Sequence, residues 1–397
     1  MQEYKSDDYV IQVHDSWDEI DEATWNALLA RQNTPTPFMQ YAYLRAMQDS
    51  QAASPDTGWG LQIVTLWLPN GADTAQPLQL CAATALYLKG HSYGEYVFDW
   101  AWADAYQRHG LRYYPKTIVA VPFTPVPGSR LLAVDAAARK ALAQALITFV
   151  QTQELSSLHL LFGDEADVLA CTQAGMMLRH TVQFHWQNAN YRDFEDFLSH
   201  LSQEKRKKIR QERRKVDQAG VQFRVLRGAD MKTGDWDFFY QCYERTYLEH
   251  GNKPYLSRDF FSQMQHNDPE NWVLFVAEMQ GRPMACSLLG LNTASTEGAV
   301  AYGRYWGALE RVDCLHFEAC YYQPIAWCIA NGFVRFEGGA QGEHKMARAL
   351  LPVPTSSAHW LSHPGFADAV ARFLAQESQG VQAYLDDLNQ RSPLKQG

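Results

Sequence analysis

The order of secondary-structure signals runs through the chain twice, and this repetition constrains the fold more than any other feature. In the first half, Val10–Val13 reads as a short strand, and helical stretches follow near Glu19–Arg31 and Phe38–Asp49. Two β-rich runs come next, Gly60–Leu68 and Leu78–Leu88, separated by a segment that opens with the turn dipeptide Asn70-Gly71. Lys116–Val121 reads as a strand, Ala136–Gln151 as an alanine-rich helix, Leu158–Phe162 as a strand, Glu165–Gly175 as a helix and Thr181–Trp186 as a closing strand. The second half repeats the series. Val221–Leu226 is a strand, Asp235–Glu249 and Arg258–Gln265 are helices, and Trp272–Met279 and Pro283–Leu291 form a hairpin around Gln280-Gly281. Val300–Trp306, the helix His316–Asn331 stopped by Gly332, and Phe333–Glu337 complete it. The pattern predicts an α/β (α+β mixed) chain of two related domains, each a mixed sheet flanked by helices.

Composition supports a folded chain. Of 397 residues, 46% are apolar and 20% charged, enough to bury a sizeable core. The net charge of −9 argues against binding nucleic acid over the whole surface. Seven cysteines, with no C-x-x-C pair, indicate neither a disulfide framework nor a zinc knuckle. The N-terminus lacks an apolar signal-peptide core, and no run of about 18 apolar residues occurs. The expectation is a cytoplasmic protein without a transmembrane segment, of undetermined oligomeric state.

Between the halves, Phe194, Phe197, Leu198 and Leu201 mark one apolar helical face. Glu204–Lys215 then holds eight basic and two acidic residues, so it carries +6 and the remainder of the chain −15. The expected division is a first domain over 1–190, a basic connecting helix over 191–220, and a second domain over 221–397 ending in a long amphipathic helix, Phe366–Leu388. The cations of 205–215 fit either a solvated linker or a phosphate-contacting helix that draws in tRNA, a nucleotide-linked precursor or a lipid-phosphate surface.

Three segments carry the polar groups that chemistry needs. His91–Pro125 has nine aromatics in 35 positions, interleaved with His91, Glu95, Asp99 and Lys116, and shows no clean period. Such a mixture suits a pocket wall, with His91, Tyr93, Glu95, Asp99, Tyr114 and Lys116 as candidate substrate contacts. It suits an interdomain interface equally well. In Tyr302–Cys320, Tyr302, Arg304 and Tyr305 are candidate contacts at a strand end. His316 and Glu318 open a helix there, as a candidate base or as a simple cap. In Phe336–Pro352, Gly338, Gly339 and Gly342 allow a tight loop that gathers Glu343, His344, Lys345 and Arg348. A glycine loop ending in lysine suggests contact with an anion or a reacting carbonyl. H-E-x-x-H, G-x-S-x-G, a Walker loop and a post-strand G-x-G-x-x-G are all missing, and no ligand pair has metal-site spacing, so no metal is expected.

At these same residues the chain resembles the FemAB-like proteins of the GNAT acyltransferase superfamily, which carry a peptidoglycan biosynthesis/recognition label. The segments that carry the resemblance are HSYGEYVFDWAWADAYQRHGLRYYPK, VPFTPVPGSRLL, YGRYWG, HFEACYYQPI and FEGGAQGEHK, within roughly Pro37–Gln376. The resemblance implies two tandem GNAT-like domains, each with a mostly antiparallel mixed sheet. It also implies transfer of an acyl or aminoacyl group to an amine, with a peptidoglycan precursor or peptide as acceptor. Phe336-Glu337-Gly338-Gly339 is one residue shorter than the family's F-D-x-G-G. The lysine that follows it in the family, near the transferred carbonyl or a substrate phosphate, corresponds here to Lys345. The 307–315 stretch has one glycine and two acids, a poor cradle for a CoA pyrophosphate. Acyl-CoA and aminoacyl-tRNA both stay open as donors, neither as a tightly bound cofactor.

Together these readings make His316 or Glu318 the expected base and Lys345 the electrostatic stabiliser. Tyr302, Arg304, Tyr305, Gly339, His344, Arg348 and the His91–Lys116 segment would contact substrate, across a groove shared by the two halves. A non-catalytic GNAT-fold module that grips a peptide or glycan fragment is the alternative.

Overall fold

The computed structural model describes residues 9–69, 78–295, 298–339 and 342–395, together with the backbone of a strand at Gln2–Lys5. The Asn70-Gly71 turn lies outside the described residues. The chain forms two compact units. Unit 1 is Met1–Thr181 with Thr355–Gln382, and unit 2 is Val182–Pro354 with Ala383–Gly397.

Unit 1 holds strands β1 (Gln2–Lys5), β2 (Val10–His14), β3 (Trp59–Pro69), β4 (Leu78–Lys89), β5 (Lys116–Val119), β6 (Leu132–Ala133), β7 (Ser157–Gly163) and the first residues of β8 (Met177–Gln187). Its helices are α1 (Glu22–Ala30), α2 (Tyr41–Asp49), α3 (Trp100–Arg108), α4 (Ala136–Thr152) and α5 (Glu165–Gln173). Aspartates cap three of them: the side chains of Asp21, Asp135 and Asp164 accept from the amides of Thr24, Ala138 and Asp167. Ala138, Leu142, Leu146 and Val150 line the buried side of α4 and pack on Val64, Leu86 and Leu160 of the sheet.

β2 through β5 are antiparallel neighbours, whereas β5 and β7 run parallel from Thr117↔Leu158 to Val119↔Leu160. Residues 120–131 then cross the carboxyl ends of that pair. Gly128 N donates to Phe162 O at 3.0 Å, and the amides of Arg130 and Leu131 donate to buried Asp167.

Unit 2 holds β9 (Val221–Arg227), β10 (Trp272–Met279), β11 (Arg282–Asn292), β12 (Val300–Ala308) and β13 (Arg335–Glu337). Its helices are α6 (Phe194–Ser199), α7 (Gln203–Gln218), α8 (Thr233–Glu249), α9 (Arg258–Asn267), and the pair α10 (Leu315–Phe317) and α11 (Gln323–Ala330) joined through a π turn at Glu318–Tyr322. Gln280 and Gly281 both have positive φ, as the tight β10–β11 hairpin requires. β9 to β12 are antiparallel. β12 pairs parallel with β13 over three residues alone, Val300↔Arg335 to Tyr302↔Glu337, and then continues to Ala308. One face of this sheet packs Phe275, Leu289, Ala301 and Phe336 against Phe197, Leu198, Ile209 and Ile325. On α8 and α9, Phe239, Tyr243 and Phe261 pack around Tyr305.

The two halves of the sequence exchange strands. β14 (Leu351–Leu361) comes from the end of the chain, yet its residues 356–361 pair with β7 of unit 1. Residues 185–187 of β8 come from the first half, yet pair with β13 of unit 2. The long helix α12 (Pro364–Gln390) begins in unit 1 and ends in unit 2. Divisions at 190 and 220 do not express this arrangement: α6 and α7 belong to unit 2, and 355–382 belongs to unit 1. The fold class is as expected, with each unit a mixed, mostly antiparallel sheet flanked by helices. Among the described residues, no helix is long and apolar enough to cross a membrane.

Candidate functional site

The three chemistry-bearing segments fall into two clusters. The first lies in unit 1 at the amino-terminal edge of the β5–β7 pair. Lys116 opens β5 and has no exposed surface. Its ammonium donates to Ser92 Oγ at 2.8 Å, to Glu95 Oε2 at 2.7 Å and to Asp99 Oδ2. Tyr113 OH donates to the same Asp99 oxygen at 2.6 Å and lies 3.2 Å from His159 Nε2. His159 Nδ1 meets His359 Nδ1 at 2.8 Å, and the Nε2 atoms sit 2.8 Å from Ser157 Oγ and Ser357 Oγ. At the Nδ1–Nδ1 contact one imidazole donates and the other accepts.

Burial pushes the Glu95 carboxyl up to about 7 against the pull of Lys116. Burial also works against the Asp99 charge, but Lys116 and His159 outweigh it and hold Asp99 well below the usual carboxylate range. Burial pulls Lys89, the cross-strand partner of Lys116, down to about 7, and its ammonium lies 3.7 Å over the Trp59 ring. Of the other predicted contacts, Tyr114 OH bonds Ser92 Oγ at 2.8 Å, while His91 packs edge-on to Tyr93, which is 60% exposed.

The second cluster lies in unit 2 at the carboxyl end of the β12–β13 pair. Arg304 is an extra residue in β12, skipped where the β11 register passes from Tyr305 to Gly303. It is therefore a bulge within the strand rather than a strand end, and its Nη2 donates to Tyr305 OH at 3.1 Å. Past Tyr302 and Glu337 the two strands part. Gly338 and Gly339 follow β13, and the chain returns so that Lys345 Nζ donates to Gly339 O at 2.8 Å. Gly339 has φ +86°, a conformation that favours glycine, and a Cβ on Gly338 would meet the end of the Leu350 side chain at 2.4 Å. Lys345 is buried, and burial lowers its ammonium to about 8.

His316 sits at the start of the helix among Trp306, Phe317 and Tyr321. Burial, then the charges of His344, Arg348 and Lys345, push it down to about 4, so it is neutral at pH 7. His344 Nε2 lies 3.2 Å from Tyr321 OH. Arg348 bonds Glu212 through Nη2 at 3.1 Å and stacks on Phe317. Glu318 is buried and held by Arg213 Nε at 3.1 and 3.2 Å and by Gln323 at 2.8 Å. These bonds occupy its oxygens, so Glu318 fits a structural ion pair better than a free base. In α7, Arg210 pairs with Glu195 and Arg213 with Glu318, while Lys207, Lys208, Arg214 and Lys215 are exposed.

Sequence reasoning did not single out Lys89, Tyr113, His159, His359, His185, Glu212 or Glu337. The Ser-x-His triplet, present at 157–159 and again at 357–359, was the available signal for the histidine pair. Among the described residues, no group of three His, Cys, Asp or Glu is arranged to hold a metal ion.

Comparison with curated proteins found no match. Among solved structures, L-PGS from Bacillus licheniformis is 10% identical, with a TM-score of 0.51 over 89% of this chain and 97% of that one. The C-terminal domain of a putative lysylphosphatidylglycerol synthetase from Agrobacterium fabrum is 11% identical, with a TM-score of 0.49 over 91% and 97%. A tandem GNAT protein from the clavulanic acid biosynthesis pathway is 10% identical, with a TM-score of 0.41 over 89% and 99%. At that identity the likeness to L-PGS is one of fold. Residues 16–396 match the family described as FemAB-like, peptidoglycan biosynthesis/recognition. With nearly its whole length matched, the chain belongs to the FemAB-like family.

Proposed function

We propose that the protein transfers an acyl or aminoacyl group to an amine acceptor, a peptidoglycan precursor or peptide, with the chemistry at the parting of β12 and β13. The observation that carries this reading is Lys345, a buried ammonium held at the glycine turn where two parallel strands separate. Beyond Tyr302, β12 continues to Ala308 without further pairing to β13, so the two strands open at the point where Lys345 is held.

The donor carbonyl lies in that opening. Lys345 uses one of its three N–H donors on Gly339, and the others face the oxyanion that forms when the amine attacks. Its lowered pKa leaves it mostly protonated at pH 7, as that role requires. His316 is neutral at that pH and adds no charge to the site. The exposed cations of α7 suit a phosphate-bearing donor or acceptor.

The test is a transfer assay with acetyl-CoA or alanyl-tRNA as donor and a lysine-containing muropeptide as acceptor. Lys345→Met should lower kcat by about 10²–10³-fold with little change in KM. Wild-type rates in Lys345→Met would reject the assignment. Thermal stabilisation by muropeptides without any transfer would replace this reading with a binding role.

A further inference from the structure

Amine transfer needs a base, and Glu318 is closed off by Arg213 and Gln323. We infer that Glu337 takes the proton from the incoming amine, an assignment that rests on the transferase reading above. Glu337 is the last residue of β13 paired with β12, so it stands at the point where the strands part. The backbone of β12 passes close by: a Cβ placed on Gly303 would lie 3.3 Å from Glu337 O. Glu337 is 4% exposed. Oε1 accepts from Arg335 Nε at 3.0 Å, while Oε2 has no hydrogen bond among the described residues. His185 Nε2, from the directly paired residue of β8, lies 3.8 Å from that oxygen, beyond hydrogen-bond reach.

A carboxylate that served only to neutralise Arg335 would not need a second oxygen buried without a partner. An ammonium N–H supplies the missing donor. The base role then follows from elementary steps. The R–NH₃⁺ proton passes to Glu337 Oε2, and the freed lone pair forms the N–C bond to the donor carbonyl. As the intermediate collapses, the C–S or C–O bond breaks, and the leaving group departs with the second nitrogen proton as thiol or hydroxyl. Glu337 returns its proton to solvent.

The experiment compares wild type, Glu337→Gln and Glu337→Asp in the same donor and muropeptide assay, with melting curves to confirm folding. Glu337→Gln should lose about 10²–10⁴-fold in kcat, keep its donor KM, and lose the acid limb of the pH–rate profile. Glu337→Asp should recover part of the rate and keep the limb. Methoxyamine, which is neutral at pH 7, needs no base, so wild type and Glu337→Gln should converge with it. An active wild type whose acid limb survives in Glu337→Gln, or a persistent gap with methoxyamine, overturns the assignment alone. A wild type that transfers from neither donor overturns the transferase reading and this base role with it.

Discussion

Lys116 joins two carboxylates in a region closed to water, and its removal would strand both. Burying this many charges is costly, and a broken network costs more than an apolar replacement of the whole. Lys116→Met should therefore destabilise the protein by about 3–5 kcal/mol in urea unfolding. The same cluster shapes the pH dependence. Glu95 has an unfolded value of 4.5 and a native value of about 7, so between them the native state holds a proton that the unfolded chain has released. Stability falls across that window as pH rises. Lys89 acts in the opposite sense: native about 7, unfolded 10.5, so stability rises from pH 7 upward. A stability minimum near pH 7 is expected. Glu95→Gln should remove the falling limb, worth up to about 1.4 kcal/mol per pH unit. Urea titrations at pH 5, 6 and 7 check this, and an unchanged limb in the variant would exclude Glu95 as its source. At this scale the sequence showed Glu95, Asp99 and Lys116 because they sit within one aromatic segment. It did not show His159 bonded to His359, because 200 positions separate them and each sits in an otherwise apolar or hydroxyl-rich strand.

Among elements, β12 is the most constrained. Gly307 lies against α8, where an added Cβ would meet Cys242 O at 2.1 Å, and backbone cannot swing aside as a long side chain can. Gly307→Ala should cost about 1–3 kcal/mol or more, read by chemical denaturation, with Gly234→Ala as a control because a Cβ there meets nothing within 4 Å. Most helices and the β10–β11 hairpin were legible, since periodicity and turn residues act locally. β14 was not, because Pro352 and Pro354 break the strand pattern and Thr355, Ser356 and Ser357 look like a loop. α3 was hidden inside a segment whose aromatics alternate between buried Trp102 and Tyr106 and exposed Trp100. The short β12–β13 pairing, on which the candidate site depends, is a matter of register, and a single sequence does not display register between strands so far apart.

For the molecule as a whole, the duplicated order of elements was visible, but the exchange of strands was not. Nothing local marks Ser356–Leu361 as the partner of β7. Residues 1–181 alone should therefore fail to fold, leaving the buried β7 with an unpaired edge. Supplying 355–382 through a flexible linker should restore cooperative unfolding, as judged by circular dichroism and resistance to limited proteolysis. A stable 1–181 fragment would contradict this.

The exchange also imposes a schedule on synthesis. When β7 leaves the ribosome, its partner strand is still almost two hundred codons away. At about 5–20 residues per second, that delay is roughly 10–40 s. The first unit must wait as a nascent, half-finished sheet while the second is being translated. Its completion is therefore tied to the arrival of the chain's own tail.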